Sequence, residues 1–150
     1  MLPLTPVTPA DVPALLEFLS VADLTLSGLD SPAVHLWIAR DSYGAIVGST
    51  GFELSDVGTD ALIRSVAVSP SLRGQGRGLE LARFALSAAA SAGAATAWLF
   101  SRRSGPFWQK LGFEPADRDE LAGALASTQQ VQLFRETGQL EREVAWSRSL

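Results

Sequence analysis

Val66-Ala67-Val68-Ser69-Pro70-Ser71-Leu72-Arg73-Gly74-Gln75-Gly76-Arg77-Gly78 runs from an apolar strand, past a proline stop, through alternate glycines and into the start of a helix. A strand that ends in such a turn gathers unpaired backbone N–H groups at one point, and the helix dipole adds about half a positive charge there. Gly74, Gly76 and Gly78 let the main chain approach an anion with no Cβ in the way, and Arg73 and Arg77 add charge nearby. The stretch reads as a phosphate cradle. A merely tight surface turn is the other reading, and it leaves unexplained why glycines that weaken a helix start are there. Spacing narrows the ligand. A nucleotide-triphosphate loop needs Lys followed by Ser or Thr after its last glycine, and Leu79-Glu80 follows here. The dinucleotide fingerprint needs glycine where Leu79 stands and an acid about 20 residues on, where the chain reads Ala94-Ala95-Thr96-Ala97.

Downstream of the cradle, a helix is expected over 76–92, with polar Glu80, Arg83, Ser87 and Ser91 in one narrow stripe and Leu, Phe and Ala elsewhere. Gly93 stops it, and the continuous apolar run 94–100 fits a strand covered on both faces. A short helix over 106–111, a short strand over 112–114, a helix over 119–128 and a last strand over 141–149 follow. Upstream, 35–40 and 45–54 flank the turn Asp41-Ser42-Tyr43-Gly44 as a hairpin, with a third strand over 61–68. Residues 2–7 read as an edge strand. Thr8 caps a helix that has Pro9 at its first position and ends near Val21, and 23–34 is a loop. The order β-α-β-β-β-α-β-α-β-α-β is that of an α+β protein with a mixed sheet and its crossover helix behind the glycines.

The chain has 150 residues, of which 47% are hydrophobic and 19% charged, a balance that supports one continuous core and one domain over 1–150. A net charge of -4 and a pI near 4.9 argue against nucleic acid as a partner, since phosphate-backbone binding needs a basic face. Cysteine is absent, which removes disulfides, thiolate metal sites and a cysteine nucleophile together. The start of the chain lacks the basic residues and apolar run of a signal peptide, and the run 86–99, broken by Ser87, Ser91, Gly93 and Thr96, falls short of the roughly 20 residues that span a bilayer. The expectation is a cytoplasmic protein with no membrane partner and no metal. Lys110 is the only lysine among 12 Lys and Arg residues, as in GC-rich bacterial genomes.

The stretch 66–78, with the R-x-x-G-x-G core from Arg73 to Gly78, resembles the acetyl-CoA motif of GNAT acetyltransferases. Phe107-Trp108-Gln109-Lys110-Leu111-Gly112-Phe113 resembles the segment that closes that family's cofactor site. The resemblance implies a GNAT fold: a mostly antiparallel mixed sheet of six to seven strands, helices on both faces, and a central cleft where two strands splay. It implies that backbone around Val66, Ala67 and Val68 pairs with the pantetheine arm of acetyl-CoA. Arg73, Gly74, Gln75, Gly76, Arg77 and Gly78 would then bind the pyrophosphate, and Ser104 and Phe107 would flank the sulfur. The implied reaction is direct transfer of acetyl to the primary amine of a small molecule. A non-catalytic acetyl-CoA-binding or sensing domain and a protein N-acetyltransferase are the alternatives. A homodimer is allowed, the sequence setting no oligomeric state.

Many relatives carry a glutamate base where this chain has Leu62 and a tyrosine acid where it has Trp108, which has no acidic proton of useful pKa. By strand alternation Arg64 shares a face with Leu62, Val66 and Val68, at the cleft or directly away from it. Two readings stay open. Arg64 anchors the carboxylate of an amino-acid-like acceptor while Glu53 or a bound water takes the amine proton, or Arg64 pairs with Asp60 or Glu53 at a strand edge. His35, the only histidine, reads as a surface or cap residue. Residues 61–68 with the helical stretch 119–127 are similar to small acetyltransferases found with arsenic-resistance genes, which acetylate amino-acid-like toxins such as arsinothricin. From Gln129 onward the chain departs from that pattern.

Overall fold

The computed structural model describes residues 3–150, so Leu2 of the expected first strand lies outside the described residues. Seven strands form one sheet: β1 (Thr5–Pro6), β2 (Val34–Arg40), β3 (Ile46–Leu54), β4 (Asp60–Val68), β5 (Thr96–Phe100), β6 (Glu114–Ala116) and β7 (Ala145–Ser149). Their spatial order is β1-β2-β3-β4-β5-β7-β6, and every neighbouring pair is antiparallel except β4 with β5. Among the described residues five α-helices complete it: α1 (Val12–Val21), α2 (Arg77–Ser91), α3 (Gly105–Gln109), α4 (Arg118–Ala124) and α5 (Gln129–Thr137). The fold is the mixed α+β arrangement expected of the GNAT resemblance.

The two faces of the sheet are covered by different helices. Ala82, Ala85, Leu86 and Ala89 of α2 pack on Phe52, Ala61 and Ile63, while Glu80, Arg83, Ser87 and Ser91 stay on the wetter side. Each buried leucine contributes about 1.5–3 kcal/mol, which holds the apolar side of the helix against the sheet. On the opposite face α1 packs Leu15 and Leu19 against Leu36 and Ile38, and α4 and α5 pack Leu121 and Val131 against Leu62 and Trp98. The hairpin turn forms where its sequence placed it, with Asp41 Oδ1 accepting from the Tyr43 and Ala45 amides at 2.9 and 3.0 Å.

The C-terminal third differs from expectation. The helix expected over 119–128 ends at Ala124, and α5, which the pattern did not announce, begins at Gln129. The break is Thr128, 3% exposed, whose hydroxyl donates to the Leu125 carbonyl at 2.7 Å and accepts from the Val131 amide at 3.4 Å. Its side chain closes one helix and caps the next, so no continuous helix can pass. Residues 139–142 form a 3₁₀ turn and the last strand starts only at Ala145; β6 starts at Glu114, two residues later than expected. Thr128→Ala should cost about 1 kcal/mol, as loss of an N-cap does, and thermal denaturation should show a fall of about 2–4 °C.

Candidate acyl-transfer site

The decisive geometry is on β4. The parallel pairing with β5 covers Asp60–Thr96, Ala61–Ala97 and Leu62–Trp98 and stops there, although both strands continue. Beyond Leu62 the strands part, and among the described residues the edge of β4 carrying Val66, Ala67 and Val68 has no strand partner on that side. A bulge marks the parting. On β3, Gly51 faces Arg64 and Ser49 faces Ala67, so Thr50 alone opposes Ser65 and Val66. Ser65 takes the extra residue at φ +61, uncommon for a residue with a Cβ, and its carbonyl accepts from the Ser49 hydroxyl at 2.6 Å.

At the end of β4 the chain makes a 3₁₀ turn over Pro70–Leu72 and enters the glycine loop. Gly74 and Gly76 stand at φ +82 and +75, and a Cβ placed on either would meet nothing within 4 Å. The left-handed conformation, not crowding, demands glycine there. Gly76 is the N-cap of α2. Arg77 pairs with Glu80 at 3.1 Å, and its Nε–H is buried with no partner. A Cβ on Gly78 would lie 3.7 Å from both the Phe107 ring and the Val68 side chain, so the strand end, the loop and α3 converge on one spot. Ser104 lies at the head of α3, exposed, with its amide donating to Ser101 Oγ at 3.0 Å.

A cavity of about 720 Å³ opens between the loop after α1, the loop after β5, and α5. Its lining includes Thr25, Ser27, Arg103, Ser104, Gln130 and Glu143. Two ion pairs border it, Arg103 with Asp23 at 2.6 Å and Arg102 with Glu143 at 3.3 Å. The glycine loop and this cavity approach α3 from its two ends: its N-cap Ser104 lines the cavity, and its Phe107 lies beside Gly78.

The model for the acetyltransferase (GNAT) family matches residues 8–113. The chain belongs to this acetyltransferase family. Among solved structures, the GNAT domain matches N-acetylglutamate synthase from Neisseria gonorrhoeae complexed with coenzyme A and N-acetyl-glutamate. The TM-score is 0.78 at 19% identity, over 100% of this chain and 35% of that one, so the chain spans about a third of the synthase. A GNAT-family acetyltransferase from Staphylococcus aureus matches with a TM-score of 0.73 at 14% identity, covering 100% and 99% of the two chains. Rv2747 from Mycobacterium tuberculosis, in complex with CoA, matches with a TM-score of 0.68 at 17% identity over 99% of both. At these identities the likeness is one of fold. No curated protein sequence matches the chain significantly.

Within this GNAT domain the structure corrects the expectation for Arg64. The bulge at Ser65 slips the alternation by one, so Ala61, Ile63 and Val66 face α2 while Leu62 and Ala67 face away. Arg64 and Glu53 lie on the Leu62 side and no longer share a face with Val66. Arg64 is 4% exposed and Glu53 1%. The guanidinium donates to Glu53 Oε2 at 3.0 Å, to Ser65 Oγ at 3.3 Å, and to the carbonyls of Ser27 and Thr25 at 2.7 and 3.4 Å. Burial pushes its pKa down and Glu53 pushes it back up. Glu53 Oε1 accepts from the Gln129 amide at 2.7 Å and Oε2 from the Gln130 amide at 3.2 Å. Both groups are occupied. The sequence reading that paired Arg64 with Glu53 describes the contact, at a buried crossing of β3, β4 and α5 in place of a strand edge.

Neither substituted family position offers a catalytic proton. Leu62 is fully buried against Leu121 and Leu125, and Trp108 is buried with its ring edge-on to Phe113 at 5.4 Å. His35 is exposed near the start of β2 and stacks on Phe52 with ring centroids 4.9 Å apart. Sequence reasoning missed Thr25, Ser27 and Gln130. The signal that could have found Gln130 was the bracketing of 129–137 by Thr128 and Gly138, a cap at each end. Among the described residues, no three His, Cys, Asp or Glu side chains group to hold a metal ion, and no helix is long and apolar enough to cross a membrane.

Proposed function

We propose that this GNAT domain transfers acetyl from acetyl-CoA directly to the primary amine of a small amino-acid-like molecule. The observation that carries the reading is the unpaired edge of β4 at Val66–Val68 running straight into a cradle of left-handed glycines. An extended amide-bearing arm can pair with such an edge as a strand would, and a pyrophosphate suits the amides of Gly74–Gly78 at the head of α2. The buried, unpartnered Arg77 Nε–H is a further donor waiting for an anion at that place. The complexes of N-acetylglutamate synthase and of Rv2747 contain CoA, which supports the same ligand here.

The acceptor occupies the 720 Å³ cavity. Its border of both signs, Arg102 and Arg103 with Asp23 and Glu143, complements a molecule carrying amine and carboxylate, and the likeness of 61–68 and 119–127 to toxin-acetylating relatives supports the same class. The carboxylate's partner is an arginine of the 102–103 pair, Arg64 being committed to Glu53. In the transfer the amine nitrogen bonds the acyl carbon, the C–S bond breaks, the amine proton passes to water in the open cleft, and the thiolate takes a proton from solvent. A second reading, an acetyl-CoA-binding domain without turnover, draws on the burial of Leu62 and Trp108 and the engagement of Glu53.

Calorimetry with CoA and a thiol-release assay with acetyl-CoA and L-amino acids test both. CoA should bind and thiol release should rise with acceptor. Binding without release favours the second reading, and absence of CoA binding overturns both.

A further inference from the structure

Of the two ion pairs that border the cavity, one is built into its wall and has free ends. Arg102, Gln139 and Glu143 all line the cavity, and their side chains meet at a single oxygen: Glu143 Oε2 lies 3.3 Å from Arg102 Nε and accepts from Gln139 Nε2 at 3.0 Å. The Glu143 side chain is 6% exposed, so its carboxylate is fixed in place. Its second oxygen, Oε1, has no partner among the described residues, yet unlike Ser27 Oγ and Gln130 Oε1 it is not sealed from solvent. With the rest of the side chain closed in, the surface that Oε1 keeps opens where Glu143 meets the cavity. Arg102 is held only at Nε. Its terminal nitrogens, Nη1 and Nη2, have no partner among the described residues, and its side chain is 43% exposed.

The neighbouring Arg103 offers less. Its Nη2 donates to Asp23 Oδ2 at 2.6 Å, and both side chains stand mostly in water, so an incoming anion would have to displace Asp23 for a contact that solvent screens. A guanidinium takes a carboxylate best through two nitrogens at once, and the buried carboxylate behind Arg102 Nε fixes the plane of that fork before the ligand arrives. A plain anion would also feel repulsion from Glu143. A zwitterion laid head to tail across the pair gains at both ends, its carboxylate on Arg102 and its ammonium on Glu143. The location suits the chemistry, because the carbonyl of Val144 accepts from the Ser101 amide at 2.9 Å and so sets Glu143 at the far end of β5, where that strand has parted from β4.

Resting on the proposed amino-acid acceptor, we infer that Arg102 and Glu143 together read the acceptor's head group: Arg102 takes the α-carboxylate through Nη1 and Nη2, and Glu143 takes the ammonium through Oε1. The ammonium then loses its proton to water before the amine attacks.

The test compares L-amino acids with the amines left by removing their carboxylates: L-glutamine with γ-aminobutyramide, L-methionine with methylthiopropylamine, and L-phenylalanine with phenethylamine. KM is measured, or the inhibition constant for an amine that is not turned over. Arg102→Gln, whose amide can still donate to Glu143, should raise the KM of the amino acids about tenfold to a hundredfold and leave the values for the amines and for acetyl-CoA unchanged. Its melting temperature should barely move, the Arg102 side chain being 43% exposed. Arg102→Lys keeps the charge and loses the fork, so it should raise the amino-acid KM less than Arg102→Gln does, again sparing the amines. Glu143→Gln should raise the values for amino acids and amines alike, since both carry the ammonium. An Arg102→Gln effect that is equal on amino acids and amines, or absent from both, overturns the inference, as does a Glu143→Gln protein that changes neither; the transferase reading then stands. Should Glu143→Gln fail to fold, the two Arg102 variants decide. Wild-type protein that binds CoA but acetylates no amino acid overturns the acceptor class and this inference together.

Discussion

Glu53→Ala will unfold well below the wild-type temperature, with a loss of about 3–5 kcal/mol, the usual result of removing one member of a buried ion pair. The side chains of Arg64 and Glu53 are 0% and 1% exposed, so the guanidinium left behind has neither water nor an anion. The same substitution strips the Gln129 and Gln130 amides of their acceptor at the head of α5, where a carboxylate also meets the helix dipole. For a chain of this length the melting temperature should fall by roughly 6–20 °C. Arg64→Met should cost a similar amount by leaving the carboxylate unpaired. The double variant Glu53→Ala with Arg64→Met should cost less than the sum of the two singles, because neither charge is then stranded. Chemical denaturation of the four proteins measures this. Additive losses would mean that the pair is not coupled and that the acceptor wall is held by something else.

The second large effect is on the cofactor. Gly76→Val puts a branched Cβ at φ +75, which costs on the order of 1–2 kcal/mol in strain and fills the space in front of the loop amides. Two lost charge-assisted bonds would weaken CoA at least about a hundredfold. Gly44→Val is the control, since Gly44 sits at φ +84 in the hairpin turn, also with nothing within 4 Å of a Cβ, but far along the chain from the cradle. Both variants should lose similar stability, and only Gly76→Val should lose CoA in calorimetry. Equal CoA binding by both would mean that the glycine loop is a surface turn and no cradle.

These two experiments divide the molecule along the line between local and non-local information. The cradle was readable because everything that makes it, a strand end, a proline stop, alternate glycines and a helix start, lies within one contiguous stretch. Its chemistry follows from backbone geometry that glycine spacing dictates. The crossover helix was readable for the same reason, its polar stripe being a property of one segment. The parting of β4 from β5 was expected only through the family resemblance, and the structure shows where it begins.

Arg64 shows what a linear pattern cannot carry. Strand alternation put it with Val66 and Val68, and that inference was sound until a single inserted residue at Ser65 reversed the parity for the remainder of the strand. Nothing in the sequence of β4 announces the bulge, because its cause includes the Ser49 hydroxyl on the neighbouring strand, 16 positions away. α5 escaped notice because only Gln130, Val131 and Phe134 are buried in it, too few for a clear helical period, and its helix is secured by caps and by contacts with other elements.

The sequence by itself determined the α+β order of elements up to α4, the glycine-rich turn at the head of α2 and the resemblance to the family, since each rests on residues adjacent in the chain. Only the tertiary structure decided that Glu53 and Arg64 pair with each other and which side chains line the 720 Å³ cavity. Gln130 meets Glu53 across 77 positions and Thr25 across 105, and Arg64 meets Ser27 across 37. Contacts at such separations are set by how helices and loops pack over a bulged strand, where a shift of one residue exchanges a substrate-facing charge for a buried one.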